Sequence, residues 1–169
     1  MKKVLIIALG LLLLDNSVSA QAAKSVYFEL GGPGLASFNF DTRFGKKEDG
    51  FGGRVGVGGF VISSNDGTGG KDRVGVIFVP IGLNYLLGKD GKHYFELGAG
   101  VTPVVASSTF ESENFSTTFG HVLFGYRLQP KEGGFTFRAF INPIFGSFGF
   151  IPYYGGVSFG YKFGNKKDK

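Results

Sequence analysis

The stretch Ala36-Ser37-Phe38-Asn39-Phe40-Asp41-Thr42-Arg43-Phe44 decides the fold. Ala36, Phe38, Phe40, Thr42 and Phe44 fall on one face, and Ser37, Asn39, Asp41 and Arg43 on the other. A repeat of two marks a β-strand with unlike faces, because successive side chains of an extended chain point to opposite sides.

The same alternation recurs down the chain. Phe95, Leu97, Ala99 and Val101 alternate with Tyr94, Glu96, Gly98, Gly100 and Thr102. Phe135, Phe137, Ala139 and Ile141 oppose Thr136, Arg138, Phe140 and Asn142, and Tyr153, Val157, Phe159, Tyr161 and Phe163 oppose Tyr154, Gly156, Ser158, Gly160 and Lys162. Eight such segments are read, at about 25–31, 35–44, 51–62, 73–87, 92–105, 115–128, 134–145 and 152–163. Most exceed the five or six residues usual for a strand and reach the ~9–11 that a tilted membrane-crossing strand needs. Helical periodicity is absent, and the 30 Gly scattered among 169 residues would each cost a helix interior roughly 1 kcal/mol.

Composition narrows the class further. Thirty Gly without a G-X-Y period exclude collagen, and 16% aromatic residues, 20 of them Phe, exclude a disordered chain. The chain has no Cys, which removes disulfides, thiolate metal sites, Cys nucleophiles and a lipoprotein anchor together. The N-terminus reads as a signal peptide over residues 1–20: Lys2 and Lys3, an apolar core from Val4 to Leu14 too short to span a bilayer, then Val18-Ser19-Ala20 as a cleavage site, with a second possible cut after Ala22. Its removal leaves 16 basic against 12 acidic residues, a net charge of +4. That mild excess on an exported chain gives no reason to expect a nucleic-acid partner.

The connections fall into two alternating classes. Lys46-Lys47-Glu48-Asp49-Gly50, Lys89-Asp90-Gly91 and Pro130-Lys131-Glu132-Gly133-Gly134 read as tight turns, their Gly supplying positive φ. Between them, Ser63–Lys71, Ala106–Asn114 and Gly146–Ile151 read as longer, unrelated loops. Short turns on the periplasmic side and longer loops outside are the asymmetry of outer-membrane barrels. Residue choice on the faces agrees. The apolar face carries large aromatics in nearly every segment, while the polar face is Gly-rich with a few charges, as expected for lipid outside and a narrow polar lumen within. Tyr85, Tyr126 and Tyr161, with Phe163, are expected to point outward near the periplasmic ends as an interfacial aromatic girdle; ordinary strand propensity is the competing explanation.

With its signal peptide, eight alternating segments and final strand Gly156-Val157-Ser158-Phe159-Gly160-Tyr161-Lys162-Phe163, the chain resembles the small Gram-negative outer-membrane β-barrel proteins of eight-stranded OmpA/OmpX-like architecture. The resemblance covers the whole mature chain and implies an all-β, eight-stranded antiparallel up-and-down transmembrane barrel over residues 21–163, with a polar C-terminal tail at 164–169. It also implies residence in the outer membrane as a monomer, with membrane lipid as surroundings. The barrel-insertion machinery would read the last strand; Phe163 matches the expected terminal aromatic in type but is displaced by Gly164 to Lys169.

Parity places Glu29, Asp41, Arg43, Arg54, Glu96, His121, Arg127, Arg138 and Lys162 in the lumen, with Glu96 and Arg127 the best single ion-pair candidates. Such charges must be paired or wetted, since isolated burial is expensive. Two readings follow: a plug of salt bridges in a structural or surface-interaction protein, or a narrow channel favouring anions through its excess of cations. The loops around Asn65 and Glu113 would carry any surface interaction. Phe60, Val104, Phe119, Ile144 and Tyr154 project into the outer half of the lumen, as packing or as a cup for an apolar ligand. A lipid-modifying enzyme has less support: only His93 and His121 are present, and no His-Glu-x-x-His pattern occurs. No cofactor is expected, and Glu111-Ser112-Glu113-Asn114 is a weak calcium candidate.

Overall fold

A computed structural model describes residues 22–65, 71–108 and 115–164. The expected signal peptide, the loop tips at 66–70 and 109–114 with the acidic Glu111–Asn114 stretch, and the tail beyond Gly164 lie outside the described residues.

Four of the first five staves are single strands, namely β1 (Lys24–Gly31), β2 (Ala36–Arg43), β3 (Gly50–Asn65) and, after an interrupted fourth stave, β6 (His93–Ser108). That interrupted fourth stave is β4 (Lys71–Phe78) followed by β5 (Ile81–Leu87). The sixth is β7 (Phe115–Leu128), the seventh β8 (Gly134–Ile141) with β9 (Ile144–Gly146), and the eighth β10 (Gly149–Ile151) with β11 (Gly155–Lys162). Each stave runs antiparallel to its neighbours in sequence, and β11 pairs with β1 from Ser25↔Lys162 to Gly31↔Gly156, closing an eight-stranded barrel. Closure satisfies the edges an open sheet would expose.

The two interruptions without a shift fall where prolines remove a ladder donor, at Val79-Pro80 and Asn142-Pro143. Register continues across both: Gly58↔Phe78 and Val55↔Ile81 flank the first, and Phe124↔Ile141 and His121↔Ile144 the second. The eighth stave differs. Ile151 pairs with Ile144 while Gly155 pairs with Ile141, so Pro152, Tyr153 and Tyr154 oppose Asn142 and Pro143. The extra residue is a β-bulge, and it reverses the inward and outward faces above it. Gly146–Ile151, expected as a loop, is instead the two-stranded hairpin β9–β10 turning at Ser147-Phe148. Alternation over three residues is too short to read against a bulge.

The pairings also set the stagger. Starting at Val26, one path runs through Phe40, Val55, Ile81, Val101 and Gly120 to Phe145. The opposite path runs through Tyr161 to Phe135. The two ends lie on the same stave ten residues apart, so the strands must tilt to close the ring. Tilt brings residues far apart in pairing order to the same depth.

Turn chemistry follows the expectation: Gly50, Gly91 and Gly133 all adopt positive φ, at 90°, 71° and 91°. The outward face is mainly apolar, from Phe38, Phe51 and Val57 round to Ile141, Phe159 and Phe163. The buried residues are mainly polar and line the lumen. Such an inside-out distribution suits a barrel whose solvent is hydrocarbon.

Candidate functional site: the lumen ion network

Nine charged or titratable residues expected inside are all buried: Glu29, Asp41, Arg43, Arg54, Glu96, His121, Arg127, Arg138 and Lys162. The strands bring most of them into one network. Asp41 on β2 is its centre. Arg43 Nη2 donates to both Asp41 oxygens at 2.9 and 3.0 Å, and Arg127 Nη2, from the far side of the barrel, donates to Oδ1 at 2.8 Å. Arg138 Nη2 stands 3.4 Å from Asp41 Oδ2, and its Nε 3.5 Å from Glu96 Oε2. Arg127 Nη1 donates to Glu96 Oε1 at 3.3 Å. Arg127 and Glu96 therefore do pair, but as one edge of a larger cluster.

Asn84 ties the cluster together. Its amide nitrogen donates to Asp41 Oδ2 at 2.6 Å and to Glu96 Oε1 at 2.8 Å, while its carbonyl accepts from Arg43. A neutral amide can serve both signs at once, which two charges cannot. A second unit lies above it: Arg54 donates through Nη1 and Nη2 to Glu29 at 3.2 and 3.0 Å, a bidentate fork. Between the two, the Arg138 guanidinium sits 3.9 Å from the centroid of the Tyr27 ring. A ring face stabilises a desolvated cation without adding charge.

A third unit lies at the turn end of the lumen. Lys162 Nζ lies 2.5 Å from Glu48 Oε2 and donates to the carbonyls of Lys131 and Pro130 at 2.7 and 3.2 Å. Gln129 accepts from Arg127 and donates to Glu48 at 3.4 Å. The first and third tight turns are thus bound together beneath the network. Glu48 corrects the expected charge balance: with it, five basic side chains face four carboxylates rather than three. Strand parity could not find Glu48, because a turn residue has no face to alternate on. Asn84, Gln129 and Tyr27 did lie on the inward parity, but a search for charges passes over them.

A cavity of about 10 Å³, bounded by Arg54, Asn84, Glu96, His121 and Leu123 among others, is room for a single water. His121 sits above the ions, 3.3 Å from Thr102 Oγ1 through Nδ1. Among the described residues no group of three or more His, Asp or Glu is arranged to hold a metal ion.

Outside, Tyr126, Tyr161 and Phe163 are exposed near the turn end, and half-buried Tyr85 packs edge-on against Phe51 with centroids 4.7 Å apart. Tyr161 and Phe163 make a similar edge contact at 6.0 Å. His93 is exposed at the start of β6, where its Nδ1 stands 2.5 Å from the Tyr126 hydroxyl.

No protein-family model and no curated protein matches the chain. Solved structures do. The N-terminal β-barrel domain of Pseudomonas aeruginosa OprF superposes with a TM-score of 0.55 at 12% identity, over 84% of this chain and 96% of that one. Ail, the attachment invasion locus protein of Yersinia pestis, is also similar in complex with the heparin analogue sucrose octasulfate, with a TM-score of 0.43, 18% identity, and 84% and 94% coverage. The backbone structure of Ail in a phospholipid bilayer nanodisc gives 0.47, 13%, 84% and 98%. The likeness to the OprF domain and the closed pairing establish the fold as the eight-stranded antiparallel barrel of outer-membrane proteins.

Proposed function

We propose that the chain is an integral outer-membrane protein whose lumen is plugged, and that its role is structural or lies in surface interaction through the loops around Asn65 and Glu113. The observation that carries this is the pairing of an apolar outer wall with a lumen filled by Asp41, Glu96, Arg43, Arg127 and Arg138 in mutual contact. Burying those ions without a membrane to stabilise the wall around them would leave a soluble protein inside out. Membrane lipid is then the main partner of the outer face. Tyr85, Tyr126, Tyr161 and Phe163 form the periplasmic girdle, Phe163 closes the strand presented to the barrel-insertion machinery, and the barrel acts as a monomer. The test is cell fractionation with gel migration before and after boiling. Recovery with the outer membrane and a heat-shifted band support the proposal; a soluble monomer without detergent overturns it.

One observation favours a second reading. Even with Glu48 counted, the lumen keeps one more basic side chain than carboxylate, the charge bias of a narrow anion channel. Planar-bilayer recording separates the two: discrete anion-favouring steps would replace the plug, and a silent bilayer containing folded protein supports it. A lipid-modifying enzyme has the least support, since His121 pairs with Thr102 rather than with a carboxylate.

A further inference from the structure

The barrel wall is uneven at the loop end. β1 and β2 stop at the tight turn Gly32–Leu35, where Leu35 holds a left-handed φ of 61° and the Gly31 amide donates to its carbonyl at 2.6 Å. β2 pairs with β3 only as far as Ser37↔Gly58, yet β3 continues to Asn65 paired with β4 alone. On the other side β1 reaches only Gly31↔Gly156, and β10 pairs with β9 alone. Among the described residues, two strand edges therefore face each other across the positions that β1 and β2 occupy lower down. At ~4.8 Å per strand the notch is roughly 14 Å wide along the wall.

Its depth places it beside hydrocarbon. Val61, Val105 and Phe145 each point outward ten positions beyond an exposed girdle-level aromatic of the same stave, Phe51, Phe95 and Phe135. Ten residues of tilted strand rise about 25 Å, the height of an outer-membrane apolar band. On β2 the last large outward residue, Phe38, is only six positions beyond Phe44, and the wall ends at the turn just above it. The notch thus opens below the top of the apolar band.

The inner surface behind it is apolar as well. Phe60 and Ile62 share the inward parity of buried Arg54, and Val74 pairs with Ile62. All three are exposed, at 37%, 58% and 39%, although they face the lumen, and among the described residues no strand stands over them. Val104 and Phe119 continue the same surface from β6 and β7.

We propose that this notch admits an acyl chain of a membrane lipid sideways into the apolar outer half of the lumen, above the ion network. The inference rests on the outer-membrane reading. Its occupant follows from continuity: the notch joins an apolar inner surface to the apolar outer band, and acyl chains are what lie against that band. Lower in the wall, register is continuous across Val79-Pro80.

The chain has no Trp, so single-Trp variants report without background. The full chain would be refolded into phosphatidylcholine vesicles whose acyl chains carry bromine, a contact quencher. Val61→Trp reports embedding of the outer wall, Phe60→Trp and Phe119→Trp report the space behind the notch, and Leu123→Trp reports the lumen behind complete wall. The expected result is loss of fluorescence at Phe60→Trp or Phe119→Trp comparable to that at Val61→Trp, with Leu123→Trp spared. Quenching at both notch positions by aqueous iodide but not by bromolipid would mean a water-filled vestibule and overturn the proposal. Resistance to both quenchers would mean the space is closed by protein, which also overturns it. An unquenched Val61→Trp in folded protein would remove the outer-membrane reading and the proposal with it, and is distinguishable from the other failures by that position alone.

Discussion

Asp41 on β2 and Arg127 on β7 meet across the full width of the lumen, with Arg127 Nη2 donating to Asp41 Oδ1 at 2.8 Å. Two other guanidinium groups, those of Arg43 and Arg138, lie within ion-pair distance of the same carboxylate. One negative charge therefore holds three positive ones together, with help from Glu96 on two of them.

Removing that charge should be costly. Asp41→Asn leaves Arg43, Arg127 and Arg138 crowded and undercompensated, and breaking a buried ion pair from one side costs about 3–5 kcal/mol. Urea unfolding of the barrel in lipid vesicles should show a loss of that order. Adding Arg127→Met to Asp41→Asn should recover part of it; a loss in the double variant equal to the sum of the two single losses would mean the two residues do not interact.

Tyr27 should matter for its ring and not for its hydroxyl. The buried hydroxyl has no hydrogen-bond partner among the described residues, whereas Arg138 stands 3.9 Å from the ring centroid. Tyr27→Phe should unfold at nearly the parent urea concentration. Tyr27→Leu, which removes the π-face, should lose about 0.5–2 kcal/mol. A larger loss for Phe than for Leu would contradict this assignment.

Glycines in the strands should divide by what stands over them. A Cβ at Gly52 would overlap the Arg43 guanidinium and the Thr42 carbonyl, whereas one at Gly75 meets nothing within 4 Å. Gly52→Ala should reduce the yield of heat-modifiable folded barrel, and Gly75→Ala should leave it unchanged. The comparison separates crowding in the lumen from any general effect of adding side chains to a strand.

The second tight turn should respond to acid. Asp90 Oδ1 accepts from the backbone amides of His93 and Lys92 at 2.8 and 3.0 Å, and these bonds hold its carboxyl below the usual carboxylate range. With the folded pKa depressed, the contribution of Asp90 to the turn is complete above the ordinary Asp value near 4 and disappears as pH falls through the lower folded one. Amide hydrogen exchange at Lys92 and His93, corrected for intrinsic rates, should therefore accelerate only in that acidic window. Asp90→Asn, which keeps an accepting oxygen but cannot titrate, should flatten the response.

Much of this barrel is determined by sequence alone. Alternation in Ala36–Phe44 and its seven counterparts assigns each strand its two faces, and the Lys/acid/Gly runs around Gly50, Gly91 and Gly133 assign the tight turns, because both are local: one follows from the pleat, the other from the φ that glycine permits. That places Glu29, Asp41, Arg54 and the other lumen charges inside. Only the tertiary structure decides which of them meet. Face is a property of one strand, but depth relative to the next strand depends on register, and the ten-residue stagger, accumulated over eight pairings, is what carries Arg127 to Asp41. The bulge at Pro152–Tyr154, the approach of Glu48 to Lys162 and the notch above Gly32–Leu35 belong to the same category. Each arises where two strands or turns distant in sequence end at different heights, and no local pattern records a height.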